Sequence, residues 1–142
     1  MIASVTRRAA QALAAAALFA AVLSGCAASP TTPVEDFTGV PDVADGEIEL
    51  DANGAGGAWL DDGSTFAVTL SGSSTCPPRA TGYSVTGENT ITVTVEKIPD
   101  NKACTADFSP HTTVFKTEDE LDPSEELTIN VDSKVVTVPA MS

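Results

Sequence analysis

Beyond residue 46, apolar and polar side chains alternate with a period of two residues. This pattern is typical of β-strands that bury one face and expose the other. It is clearest at 66–71, 91–96 and 127–132, and turn-forming residues separate the apolar runs. No window of ten or more residues after Cys26 carries the apolar stripe of a helix. Weaker strand candidates lie at 47–50, 58–60, 82–85, 112–116 and 134–138.

The number and spacing of these segments predict an all-β domain. Seven or eight short strands, all expected to pair antiparallel, favour a β-sandwich with immunoglobulin-like or Greek-key connections. A small barrel is the second candidate architecture. We expect the sandwich domain to occupy residues 47–142.

The N-terminal residues have a different pattern. Arg7 and Arg8 supply positive charge, no acid occurs before Glu35, and residues 12–23 form an apolar run. A charged segment followed by such a run is typical of a secretory signal peptide, and the run is shorter than the roughly 20 residues of a membrane-spanning helix. The pattern therefore predicts a signal peptide at residues 1–25.

The apolar run ends in Leu23-Ser24-Gly25-Cys26, which resembles the lipobox of bacterial lipoproteins. Small side chains before the cysteine let the backbone enter a peptidase active site, and the thiol is the nucleophile that takes up the lipid. The resemblance implies cleavage between Gly25 and Cys26 and a diacylglyceryl or palmitate-type anchor on Cys26. We then expect a location on the extracytoplasmic face of the cell membrane, held by lipid. An ordinary secretory signal ending at 27–29 is the alternative.

Residues 26–46 are rich in Ala, Ser, Thr and Pro, which bury little apolar surface. We predict a semi-extended, disordered linker over these residues that holds the domain some tens of Å from the bilayer.

The charge of the chain restricts its partners. The 142 residues include 20 acids and 7 Lys or Arg, and removal of Arg7 and Arg8 leaves five basic residues and a formal charge of −15. Nucleic acid is excluded as an expected partner because phosphate backbones are held by clustered Lys and Arg. Such a surface is repelled by an anionic bilayer, so the covalent lipid is the expected membrane contact.

Two cysteines remain after Cys26. In an exported domain Cys76 and Cys104 are expected to form a disulfide. A metal or redox thiol pair is the alternative, but neither cysteine lies in a C-x-x-C motif and His111 is the single histidine. No metal site and no cofactor is predicted.

Candidate catalytic residues are few. A Ser-His-Asp triad would need His111, with Ser109 or Ser73 as nucleophile, yet G-x-S-x-G and S-x-x-K motifs are missing. We expect His111 to be an ordinary exposed or half-buried histidine near the start of a strand. The adjacent acids Asp61 and Asp62 precede a glycine, which favours a turn over a glycosidase pair.

Two further features have an ordinary structural interpretation. Residues 51–54 carry oxygen ligands at alternate positions, so a weak calcium site is the alternative to a solvated turn. Trp59, the single tryptophan, is expected in the core rather than in a ligand platform.

Two cysteine-centred segments, at 57–78 and 104–114, resemble small exported proteins and lipoproteins of actinobacteria. The resemblance covers roughly residues 59–138. It implies a lipoprotein with a β-rich, disulfide-containing domain, and it brings no assigned activity.

These observations predict a non-catalytic binding or accessory module that contacts an envelope protein or polymer. The expected binding face is the stiff segment Pro77-Pro78-Arg79 at the disulfide end, beside the turn at 99–104, because stiffness lowers the entropy lost on binding and Arg79 can make a forked contact. The alternative for the two prolines is that they only end a strand. The alternative functions are a carboxylate-dependent envelope hydrolase and a protease-inhibitor-like module.

Overall fold

The computed structural model describes residues 31–44 and 46–142, which form two packed four-stranded sheets. The strands are β1 Pro33–Thr38, β2 Asp42–Val43, β3 Gly46–Glu47, β4 Ala55–Leu60, β5 Thr65–Gly72, β6 Ala80–Gly87, β7 Thr90–Val95, β8 Ser109–Lys116, β9 Leu127–Val131 and β10 Lys134–Val138. The first sheet has the strand order β1-β8-β5-β4 and the second has the order β10-β9-β7-β6. The predicted all-β, sandwich-like fold is confirmed. No helix within the described residues is long and apolar enough to span a membrane.

The core lies between the two sheets, where the inward side chains of both interdigitate. Phe66 is fully buried at its centre, and its ring centroid lies 5.0 Å from Tyr83, 5.7 Å from Phe115 and 6.0 Å from Trp59. Aromatic rings at these separations contribute stabilisation beyond the area they bury. Trp59 is 8% exposed, so its predicted place in the core is confirmed.

One strand pair departs from the predicted antiparallel pattern. β7 and β9 run parallel, with Ile91 opposite Ile129 and Val93 opposite Val131. The chain leaves the second sheet after β7, forms β8 in the first sheet and then returns as β9. Such a crossover allows parallel neighbours, whereas the alternation of apolar residues does not record strand direction.

The predicted linker at 26–46 is wrong from Thr31 onward; its residues 26–30, the predicted signal peptide and Cys26 lie outside the described residues. Residues 33–38 form β1, which pairs with β8, and Thr31 is tied to the second sheet by two backbone hydrogen bonds with Tyr83 of 2.9 and 3.2 Å. The domain therefore includes residues from Thr31 onward rather than starting at residue 47. β1 is an edge strand with mostly exposed side chains, so its stability comes from main-chain pairing that composition does not indicate. The predicted strand at 47–50 is also wrong, since only Gly46 and Glu47 pair, with β2.

A strap, residues 39–44 and 46–54, covers the outer face of the first sheet. It connects β1 to β4, which lie at opposite edges of the sheet. Ala67 and Thr69 point outward yet are fully buried, and Thr112 donates a 2.7 Å hydrogen bond to the carbonyl of Gly39. At Gly56 a Cβ atom would lie 2.6 Å from the carbonyl oxygen of Glu49, so glycine lets the strap approach. The prediction that each strand exposes one face to solvent is therefore wrong for β5 and for much of β8.

The strand directions place Thr31, the first described residue, and the disulfide at opposite ends of the sandwich. Thr31 lies beside the C-terminal end of β8, because its hydroxyl donates a 2.9 Å hydrogen bond to Glu118. The Cys76 and Cys104 loops lie at the opposite end, where Gly72 pairs with Ser109. The eight residues of β8 span about 23 Å at roughly 3.3 Å per residue.

Candidate binding cleft at the disulfide end

The predicted disulfide between Cys76 and Cys104 is confirmed, with a Cα–Cα distance of 5.5 Å. Cys76 lies in the loop between β5 and β6, and Cys104 lies in the loop between β7 and β8. The bond therefore connects two loops that emerge from different sheets at one end of the sandwich.

A cluster of hydroxyl groups around Asp107 connects the same two loops a second time. The Asp107 carboxylate accepts hydrogen bonds from the backbone N–H of Ser74 and from the hydroxyl of Thr105. The Thr105 hydroxyl lies 2.9 Å from the Ser73 hydroxyl. The backbone N–H of Thr105 donates a 3.0 Å hydrogen bond to the hydroxyl of Thr75. Hydrogen bonds from Ser74 and Thr105 favour the ionised carboxylate and lower the pKa of Asp107 from 3.8 to about 2.

Acid should weaken this loop connection before it affects the core. The folded-state pKa of Asp107 is depressed, so its contribution to stability is present above pH 3.8 and is lost as the pH falls through about 2. Asp107→Asn should lower the melting temperature at pH 7, and the difference from wild type should disappear near pH 2. Thermal unfolding from pH 2 to 7 checks this, and a constant difference over that range would contradict it.

A cleft of about 270 Å³ opens beside the disulfide. Its lining includes three of the five basic side chains that follow Arg8 in the sequence, namely Arg79, Lys97 and Lys102. Glu96 is the acidic residue of the lining. Cys76 and Pro77 belong to the cleft wall, so the predicted face and the 99–104 turn are brought together. The complete lining is Thr75, Cys76, Pro77, Arg79, Glu96, Lys97, Ile98, Pro99 and Lys102.

An ion pair with Asp36 holds one side of the Arg79 guanidinium. Its Nη1 lies 3.6 Å from Oδ1 of Asp36, and the side chain remains 51% exposed. The same Asp36 oxygen lies 2.8 Å from Nε2 of His111. β1, the strand absent from the sequence prediction, thus supplies the carboxylate that orients Arg79.

Pro77 and Pro78 are half-buried in the loop and end no strand, because β5 stops at Gly72. The Pro78 ring packs on Gly72, where an added Cβ would lie 3.0 Å from the ring. This contact holds the loop against the end of β5. Pro78 does not line the cleft, so only Pro77 and Arg79 of the predicted binding face contribute to its wall.

The other candidate residues have structural roles. His111 lies near the start of β8, as predicted, but it is 3% exposed instead of exposed or half-buried, because β1 and β5 flank it. Among the described residues, its buried Nδ1 has no hydrogen-bond partner. Asp61 and Asp62 form a 3-10 turn before β5. Asp51 accepts hydrogen bonds from the backbone N–H groups of Ala55 and Asn53, which lower its pKa.

Residues 31–44 and 46–142 contain no group of three or more His, Cys, Asp or Glu side chains placed to hold a metal ion. Comparison of the chain with protein-family models, curated proteins and solved structures gave no significant match.

The cleft contains cationic residues that the sequence analysis missed. Lys97 and Lys102 flank the turn that precedes Cys104. Together with Arg79 they place three of the five basic side chains that follow Arg8 within 24 residues. In a chain with so few cations, this clustering beside a predicted disulfide was the available signal. Asp107 gave no signal, because its role depends on contact between two distant loops.

Proposed function

We propose that this chain is a lipid-anchored, non-catalytic module of the cell envelope that binds an anionic group in the disulfide-end cleft. The group belongs to an envelope protein or polymer and carries carboxylates or phosphates. The observation that supports this best is the collection of Arg79, Lys97 and Lys102 around one cleft of a domain with a formal charge of −15. The rest of such a surface repels anions, so local attraction at the cleft gives specificity.

The rigidity of the cleft supports a binding role. The disulfide and the Asp107 hydrogen bonds hold the two loops together, and Asp36 orients one side of Arg79. A surface ordered before binding loses less conformational entropy when the partner arrives. The exposed part of the Arg79 guanidinium provides paired N–H donors that match a carboxylate or phosphate.

The direction of the strands places the cleft where an envelope partner can reach it if Cys26 carries the lipid. Four residues lie between Cys26 and Thr31, and the five residue steps correspond to at most about 18 Å of extended chain. The tether is then shorter than the predicted 26–46 linker, and the chain enters the domain at the end opposite the disulfide. The cleft is therefore expected to face away from the bilayer.

The environment of His111 supports the non-catalytic part of the proposal. A general base must reach both an orienting group and the proton that it removes. Nε2 of His111 contacts Asp36, whereas Nδ1 is buried without a partner among the described residues. This imidazole therefore does not contact Ser109 or Ser73, the two candidate nucleophiles.

A charge-matched pair of variants tests the cleft. Lys97→Ala combined with Lys102→Ala should weaken binding of fluorescent poly-glutamate or polyphosphate at least tenfold, because each lost charge-assisted contact is worth about 1.5–3 kcal/mol before solvent screening. Lys116→Ala combined with Lys134→Ala removes the same charge from β8 and β10. This control should change the Kd less than about threefold, consistent with weak interactions between exposed charges.

Fluorescence anisotropy with the processed protein in detergent micelles gives both constants. The two probes distinguish a carboxylate partner from a phosphate partner. Equal weakening by the two double variants would attribute binding to net charge and contradict the cleft.

A further inference from the structure

A second cleft lies along the open edge of β4 and shares no lining residue with the disulfide-end cleft. β4 pairs with β5 on one side, while β10 packs near its other side without forming a ladder. We call this gap the β4 seam. At the other edge of the first sheet, the backbone bridge between Thr31 and Tyr83 connects the sheets.

The hydrogen bonds of Ala55 show which backbone N–H and C=O groups of β4 face the β4 seam. Both its N–H and its C=O bond to Asp51 instead of β5, at 3.0 and 2.8 Å. In an antiparallel ladder, alternate residues direct their polar groups to the same side. The N–H and C=O groups of Gly57 and Trp59 therefore also face away from β5, into the β4 seam. Within the described residues, none of these four groups forms a backbone hydrogen bond outside the strand ladders.

The β4 seam has room for a ligand. The cleft has a volume of about 430 Å³ and lies between residues 43–44 and 47–49 of the strap and residues 137–142, with Gly57, Ala58 and Trp59 along its base. This volume falls within the range of ordinary ligand pockets. The indole Nε1 of Trp59 is a buried donor that has no partner among the described residues.

The charge around the β4 seam is acidic. Glu47 and Glu49 are exposed and line the cleft. An adjoining cleft of about 520 Å³ also includes Trp59 in its lining. The described lining of the two clefts contains no Lys, Arg or His, and the adjoining cleft adds four carboxylates, Glu35, Asp42, Asp61 and Asp62.

We infer that the β4 seam binds an extended, cationic peptide segment of a partner protein by β-strand addition. The peptide backbone pairs with Gly57 and Trp59, which supply affinity through main-chain hydrogen bonds. Alternate peptide side chains point toward the strap, where Lys or Arg meets Glu47 and Glu49. The charge complementarity selects this occupant because a peptide of the opposite sign would meet repulsion from six carboxylates.

A synthetic hexapeptide, Lys-Val-Lys-Val-Lys-Val, tests the backbone pairing with the processed full protein. At saturation, hydrogen exchange of the Gly57 and Trp59 amides should slow at least tenfold, while that of edge strand β1 stays unchanged. N-methylation of alternate residues on one edge of the peptide should abolish binding, and N-methylation on the other edge should preserve it. Equal binding of both methylated peptides, or no protection at Gly57 and Trp59, would overturn strand addition.

A pair of charge variants tests the choice of occupant. Glu47→Lys combined with Glu49→Lys should weaken peptide binding at least tenfold. The matched control, Glu125→Lys with Glu126→Lys, makes the same charge change at exposed residues before β9 and should leave the Kd within about threefold. Equal effects of the two variants would overturn the assignment. Amide protection that rises with protein concentration without peptide would assign the seam to a second copy and also overturn it.

Discussion

Cys26→Ser should release the protein from the membrane fraction and block processing at Gly25-Cys26. The predicted lipid is attached through the Cys26 thiol, and each buried methylene of an acyl chain contributes about 0.8 kcal/mol to membrane binding. The five basic residues left after residue 25 give the protein no comparable electrostatic attachment to an anionic bilayer. Intact-mass measurement of the wild-type membrane fraction should find a chain that begins at Cys26 and carries added acyl mass.

Ser24→Ala is the control for this prediction, because it preserves a small residue before the cleavage site. It should be processed and anchored as the wild type is. A Cys26→Ser protein that remains in the membrane fraction in processed form would refute lipid anchoring at Cys26.

Loss of the disulfide should produce the largest change in folding stability among single-residue changes outside the core. Cys76→Ala should lower the free energy of unfolding by about 2–5 kcal/mol, the range for removal of a native disulfide from a small secreted domain. The two cysteines are 28 residues apart, and the chain-entropy model gives about 3–4 kcal/mol for a loop of this length. Urea unfolding monitored by far-UV circular dichroism measures the change.

The variant that replaces both cysteines by alanine tests whether the two residues act through one bond. Cys104→Ala should cost nearly as much as Cys76→Ala, and the double variant should cost no more than either, because all three remove one cross-link. Additive losses would show that the cysteines act separately. Free thiols at both positions in the exported protein would contradict the bond itself.

Regular alternation predicted β5 and β10 well. The apolar positions 66, 68 and 70 lie in β5, and the candidate at 134–138 has the bounds of β10. These segments were predictable because their apolar residues recur with a period of two along the sequence. β1 was missed because an edge strand with mostly exposed side chains is stabilised by the backbone of β8, which lies more than 70 residues away.

Contacts between distant segments explain the remaining errors. The burial of Ala67 and Thr69 depends on the strap, and that of His111 depends on its neighbours β1 and β5. The Cys76–Cys104 bond was predictable because the chain has two cysteines after Cys26. The β4 seam was not, because residues 57–59 and 137–142 meet only through the packing of two sheets.

Site-specific photocrosslinking in the native envelope tests the central proposal most directly. A photoreactive residue at position 98 would lie in the disulfide-end cleft while keeping its cations, since Ile98 is 40% exposed and lines that cleft. Val135, which is 62% exposed on β10, provides the control position. The proposal predicts a discrete crosslinked envelope component from position 98 alone, which poly-glutamate or polyphosphate displaces and which Lys97→Ala with Lys102→Ala abolishes. The same products at the same yield from both positions, or a product at 98 that survives loss of both lysines, would contradict it.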